Sequence, residues 1–323
     1  MIHDDWTERY SRQILLSKVG GAGQQRLMRA GVGVIGHNPT AWILLDMLSR
    51  AGIGRLGSAA GIHEPPSWFE GMQRHVRAGN RHTRLYKGPA THNPAPLQHW
   101  ADSWDTVVDT SGATDIRGHL GHYCRSRGKF YHSCWQSGGY GWILSLKPGP
   151  QPTRFCPAAP LDTDVQPQTL PPPLDRLIPG WIAAITSGKV LTELYGFVRQ
   201  ESYFLLRIDA QKGQYDARRS GNQPHCPACM DNGREDLSVD GRKDTPFCAN
   251  EDTIDITGDT CPMTYVRVKL RMETLAMGSR LRVRMAGAEP VENVPMSLKD
   301  AGHRILDLVD HGTFYELLVE KLT

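Results

Sequence analysis

The 323-residue chain has little net charge, no long apolar run and no internal repeat. Its formal charge of +3 is too small to mark a nucleic-acid-binding surface. No stretch approaches the ~18 consecutive apolar residues of a membrane-spanning helix. The opening "MIHDDWTERYSRQ" is charged and polar where a secretory leader needs an apolar core. These absences predict a cytoplasmic protein with neither membrane nor nucleic acid as partner. Cysteine is sparse, at seven residues, and in such a compartment thiols serve as nucleophiles or metal ligands rather than as disulfides. None of the thirteen histidines pairs with a cysteine and a carboxylate in a recognisable triad.

What is present suggests two domains, since the length suits two and 39% apolar content is enough for ordinary cores. Two stretches are rich in loop-forming residues, Lys147 to Asp175 and Met230 to Asp252. The second is charged, poor in large apolar residues and reads as a linker. The expected organisation is an α/β domain over 1–232, a linker over 233–251 and a small two-layer α/β domain over 252–323.

In the last of these, "DITGDTCPMTYVRVKLRMETL" sets a cysteine directly before a proline where an apolar run gives way to a helical pattern. Tyr265, Val268, Met272 and Leu275 recur on one helix face, so an amphipathic helix should begin close to Pro262. Proline suits a first turn because its missing N–H would go unpaired there anyway. Cys261 then sits at the helix mouth, where the macrodipole favours a thiolate. The bland reading is a buried cysteine acting as a small apolar residue. Beyond it, "SRLRVRMAG" reads as a strand, "VPMSLKDAG" as a short helix ending at Gly302, and "HRILDLVDHGTFYELLVEKL" as two strands around His311-Gly312. The series strand, helix, strand, helix, strand, strand, with Cys261-Pro262 at the start of its first helix, resembles the TusA (SirA-like) sulfur carriers. That resemblance implies a persulfide-bearing Cys261. The family often has a second proline two residues after the first, and Thr264 stands there.

The first domain opens with "AGVGVIGHNPTAWILLDMLSRAGIGRL": apolar strand, turn at Gly36, helix, second strand, an order of the Rossmann sort. With "RYSRQ" before it and "WDTVVDTSGATDIR", "PGWIAAITSGKVLTELYG" and "HCPAC" after it, this region resembles the ThiF/MoeB family, homodimeric relatives of ubiquitin-activating enzymes that adenylate the C-terminal glycine of a ubiquitin-like sulfur carrier. The resemblance implies a nucleotide site containing Arg12, Gly36 and Arg74. The two arginines also fit plain surface or dimer-contact pairing. Several of the family's functional positions are altered. "GHNPTA" replaces the glycine-rich turn, and Pro39 removes an N–H that would have met phosphate. "GSAAG" stands where the ribose-binding acids belong, and Gly112 where the magnesium-binding aspartate belongs, with Asp109 and Asp115 the nearest acids. The helix carrying the phosphate-binding lysine is missing between Arg74 and Asp109, where "HTRLYKG" with Lys87 reads as a strand. These losses argue against ATP and magnesium as working cofactors.

Cys226-Pro-Ala-Cys229 is a pair able to place two thiolates on one tetrahedral zinc. In the resembling family two such pairs close one structural site. Here Thr153 replaces one cysteine of the first pair, so the expected ligands are Cys156, Cys226 and Cys229, with Cys248 or His225 as a fourth. A redox pair or plain thiols is the competing reading. Cys124 and Cys134 read as core cysteines.

The expected function is sulfur transfer, with a persulfide on Cys261 supplied by a cysteine desulfurase or another sulfane-sulfur donor, and the ThiF/MoeB-like domain serving homodimerisation and docking of a partner such as a ubiquitin-like sulfur carrier. Two alternatives stand beside it, an active adenylyltransferase with unusual ligands and a non-catalytic binding protein.

Overall fold

The computed structural model describes residues 5–60, 66–149, 169–197, 204–219 and 251–323. By their contacts the residues fall into two units, 1–25 with 236–323, and 26–235. Three helices open the chain: α1 (Asp5–Arg9), α2 (Ser11–Ile14) and α3 (Gly20–Arg29).

The unit of residues 26–235 is built on eight strands. In chain order they are β1 (Gly31–Ile35), β2 (Arg55–Ala60), β3 (Arg84–Ala90), β4 (Thr106–Asp109), β5 (Phe130–Ser137), β6 (Tyr140–Leu146), β7 (Phe204–Asp209) and β8 (Gln214–Arg219). They lie in the order β3-β2-β1-β4-β5-β6-β7-β8. From β3 to β5 all pairings are parallel, and β6, β7 and β8 extend the sheet antiparallel. Parallel neighbours need crossovers, which are supplied by α4 (Pro39–Ala51), α5 (Pro66–Gly79), α6 (Pro94–Ala101) and α7 (Thr114–Ser126); α8 (Pro172–Asp175) and α9 (Ile178–Leu194) come after β6.

Strand β1 is buried along its whole length because helices cover both sheet faces. One core joins Val32 and Val34 to Leu44, Leu45 and Leu48 of α4 and Ile182 of α9. The other gathers Leu97, Trp104, Ile116 and Leu120. Glycine on the second face lets the indoles lie against the sheet, since a Cβ at Gly57 would stand 2.2 Å from Trp104. Truncating a fully buried leucine such as Leu44 to alanine costs about 2–5 kcal/mol. The core readings of Cys124 and Cys134 hold, at 0% and 1% exposure.

The C-terminal module runs β9 (Glu251–Asp255), α10 (Met263–Thr274), β10 (Arg280–Met285), α11 (Ala288–Asp300), β11 (Arg304–Asp310) and β12 (Tyr315–Glu320), the expected series. Its sheet order is β11-β12-β10-β9, with β9 parallel to β10 and the other pairs antiparallel. Alternation in β10 sends Leu281, Val283 and Met285 into a core with Val268, Met272, Val294, Leu298, Leu317 and Val319. The alternate residues Arg282 and Arg284 pair with Glu316. Helix α11 starts six residues before the Val294 expected from sequence. Pro290 falls in its first turn and Pro295 is held inside it, so two residues that read as breakers are accommodated.

Candidate functional site

Cys261 is exposed, and the loop from β9 delivers it to the mouth of α10. Pro262 is the N-cap residue and Met263 the first helical one, so the thiol lies just outside the helix. No side chain caps this helix, and the N–H of its first residue, Met263, donates to the Thr260 carbonyl (2.7 Å). The same loop is pinned by an ion pair between Asp259 and Arg267 and by Asp255, which accepts from Thr257 N (2.9 Å) and Oγ1 (2.8 Å).

A residue not singled out in the sequence completes the arrangement. Gly287, with φ +89°, turns the chain from β10 into α11 and sets Glu289 in the first turn. Glu289 acts on the Cys261 thiol and pushes its pKa up, through its carboxylate as an acceptor first, with burial and the carboxylate's charge adding to it. The helix mouth was expected to pull it down. The adjacent acid opposes a dipole effect that fades within one turn. Glu289 escaped notice because the helix that carries it was placed to begin only at Val294.

The far end of α10 is also fixed. Glu273 Oε1 and Oε2 accept from Gly21 N (3.1 Å) and Ala22 N (2.9 Å), the unpaired donors at the start of α3. Lys269 Nζ donates to the carbonyls of Ile14 (2.9 Å) and Leu15 (3.3 Å) at the end of α2. Burial lowers the Lys269 pKa. These bonds tie residues 14–22 to the helix that presents Cys261.

In the other unit, a cleft of about 500 Å³ opens at the carboxyl ends of β1, β4 and β5, beside the point where the strand order reverses. Open α/β sheets bind ligands at this location. Gly36 there has φ +119°, and a Cβ on it would lie 2.2 Å from Thr110 Oγ1. The mouth of α4 is closed by its own residues: Asn38 accepts from Ala41 N (2.9 Å) and donates from Nδ2 to Thr110 O (2.6 Å), while Pro39 occupies the first turn. Asp109 is fully buried, accepting from Ser111 N (2.9 Å), Ser111 Oγ (2.6 Å) and Tyr131 OH (3.0 Å), and burial raises its pKa. Gly112 lines the cleft, and Asp115 is exposed in the first turn of α7. Arg74 is exposed on α5, and Arg12 is exposed on α2, in the unit that contains Cys261.

Cys156, Cys226 and Cys229, with Cys248 and His225, lie outside the described residues. Among the described residues no three His, Cys, Asp or Glu side chains come together as a metal site, and no helix is long and apolar enough to cross a membrane. Cys124 and Cys134 have thiols pushed up to about 12, by burial above all.

Residues 252–321 match the family Sulfurtransferase TusA. A protein of Archaeoglobus fulgidus, named as a candidate sulfur carrier, is 35% identical over 74 residues, which span 23% of this chain and 83% of that one. A sulfur carrier protein adenylyltransferase of Thermus thermophilus is 24% identical over 268 residues, 73% of this chain and 96% of its own. Among solved structures, E. coli MccB shares the fold at a TM-score of 0.56 with 14% identity, over 73% of this chain and 76% of that one. The chain therefore joins a ThiF/MoeB-like adenylyltransferase-type domain to a C-terminal domain, residues 252–321, that belongs to the TusA sulfur-carrier family.

Proposed function

We propose that this protein carries sulfane sulfur as a persulfide on Cys261 and that its ThiF/MoeB-like domain serves mainly in homodimerisation and in docking a partner. The observation that carries the reading is the exposed thiol just before the first turn of α10, inside the TusA-family domain. Persulfide exchange needs an accessible thiol and a surface on which the donor can sit, because the donor brings the activated sulfur. A cysteine desulfurase or another sulfane-sulfur donor supplies it in the cytoplasm. A ubiquitin-like sulfur carrier is the docking partner favoured by the likeness to a sulfur carrier adenylyltransferase.

Adenylation is not assigned to the first domain. The described residues around the cleft do not fit a nucleotide with magnesium: Asp109 is turned inward, Gly112 carries no ligand, and Asn38 and Pro39 occupy the turn where phosphate would need free N–H groups. Structural zinc on Cys156, Cys226 and Cys229 remains part of the proposal, supported by the spacing of the last two.

Incubating the full chain with a cysteine desulfurase and cysteine tests the reading. Intact mass should rise by one sulfur, removable by a reducing thiol, with the sulfur mapping to Cys261. ATP-dependent pyrophosphate exchange with a ubiquitin-like carrier would replace this reading with that of an active adenylyltransferase. Failure to load from several donors would leave a binding protein.

A further inference from the structure

A pocket of about 190 Å³ lies against the C-terminal half of α10, walled by residues of the unit 1–25 with 236–323. Lys269 of α10, His303 just before β11 and Lys321 just after β12 bring three basic side chains to it. Lys269 Nζ donates to the Ile14 and Leu15 carbonyls, and Lys321 Nζ to those of Leu275 (2.8 Å) and Glu273 (3.4 Å). All four acceptors are neutral, and an ammonium has three donors, so each lysine keeps one for another partner. Among the described residues neither lysine makes an ion pair. Glu273, the carboxylate on this wall, is committed to the N–H groups of Gly21 and Ala22. Burial lowers the pKa of both lysines, while the charge of Glu273 opposes it. Burial, and then the charge of Lys321, lowers the pKa of His303, so near neutral pH it is uncharged.

Two half-buried ammoniums thus line one pocket without a counter-ion, whereas lysine is seldom buried unless it is paired. The rest of the lining is of another kind. Met272 and Leu298 are buried and apolar, and the Tyr265 hydroxyl is spent on the Ser297 carbonyl (3.1 Å). An apolar cavity of about 150 Å³ holds benzene, so this pocket has room for a ring or short chain with a small charged head. We propose that it binds a small organic carboxylate, with the head between Lys269 and Lys321 and the apolar body on Met272 and Leu298. The site does not depend on the carrier reading. Lys269 lies about 9 Å along α10 from Met263, whereas Cys261 precedes that first residue.

Benzoate titrated into the full-length protein by calorimetry is the test. It should bind with a Kd of about 1 mM or tighter. Benzyl alcohol keeps the ring without the charge, and sulfate keeps a charge without the ring, so each should bind about tenfold more weakly or less. Lys321→Met should weaken benzoate by a similar factor, and Lys321→Arg, which keeps the charge, should recover part of the affinity. In the wild type, where no variant has to fold, benzoate should slow acetylation of Lys269 and Lys321 relative to the exposed Lys18 and Lys299. Absence of saturable benzoate binding overturns the inference, as does an unchanged affinity in a folded Lys321→Met or acetylation that benzoate leaves unaltered. Benzyl alcohol binding as tightly as benzoate would reduce the site to an apolar hollow, and sulfate binding as tightly would reduce it to a simple anion site; either overturns the carboxylate assignment.

Discussion

Among the helices that start with proline at or next to the first turn, α4 and α10 have mouths with opposite fates. At α4, Asn38 caps the helix, crosses to the Thr110 carbonyl and leaves Pro39 in the turn, so the mouth is occupied by the chain itself. At α10, Pro262 precedes the first turn, no side chain caps the helix, and an exposed thiol stands outside it. The positive end of a helix is a general resource for holding an anion. In the first domain that resource is spent on structure, and in the second it faces a reactive group. On the proposed reading, a vestigial site is one where the chain's own side chains have taken the ligand's place.

The strongest way to break this comparison is to remove the thiol. Cys261→Ala should abolish sulfur loading, because Cys124 and Cys134 are buried with thiols pushed up to about 12 and neither meets a donor. Cys261→Ser should load no better and should keep the unfolding midpoint of the wild type. Sulfur found on Cys226 or Cys229 would move the chemistry out of the TusA domain and end the contrast.

The next largest effect concerns those two cysteines. If they bind zinc, purified protein should carry about one metal per chain, and replacing both with serine should release it and lower the melting temperature markedly, because structural zinc contributes folding free energy directly. Sulfur loading at Cys261 should persist at temperatures where the variant stays folded. Metal-free wild type with an unchanged melting temperature would rule the zinc out.

Nucleotide binding tests the closed mouth. Calorimetry with ATP and magnesium should detect no affinity tighter than about millimolar, near 4 kcal/mol. Micromolar binding would show that the cleft works despite Asn38, Pro39 and the inward Asp109.

The pH response of Cys261 separates a thiol governed by Glu289 from a simple dipole-activated one. Glu289 raises its pKa, so the protonated form persists further into the alkaline range. Its alkylation rate should therefore still be climbing past pH ~8.5, where an ordinary thiol is half ionised. A plateau near neutral pH would mean that the helix outweighs the carboxylate.

How much of this was legible in the sequence follows from what each feature depends on. The strand-turn-helix-strand opening and the six-element C-terminal series could be read because periodicity and turn glycines are local signals, and Gly36 and Gly312 do take positive φ where the turns were expected. The antiparallel extension β6 to β8 was not read, since its pairing partners are fixed by the sheet rather than by any local pattern. Helices α5 and α6 begin at Pro66 and Pro94, where prolines suggest loops. Cys261 was legible from its Cys-Pro pair. Glu289 was not, because its meeting with the thiol is made by the fold across 28 residues of chain, from 261 to 289.

The smallest expected effect probes how the closed mouth is held. Asn38→Ala removes an N-cap bond to Ala41 N and leaves the Thr110 carbonyl without the amide that Asn38 gives it. A lost N-cap costs about 1 kcal/mol, and an abandoned, partly buried acceptor adds a similar amount, so stability should fall by about 1–2 kcal/mol. In urea the midpoint should drop while the slope stays constant, since the substitution removes contacts without changing the surface exposed on unfolding. Cys261 loading should be unaffected, because Asn38 belongs to the unit of residues 26–235 and the thiol to the other. The same variant asks whether the cleft is blocked or merely stripped of ligands. If Asn38→Ala still fails to bind ATP, the missing acids and glycines are the cause. If binding appears, the asparagine itself was the plug, and the two helix mouths differ by one side chain rather than by a whole lost site.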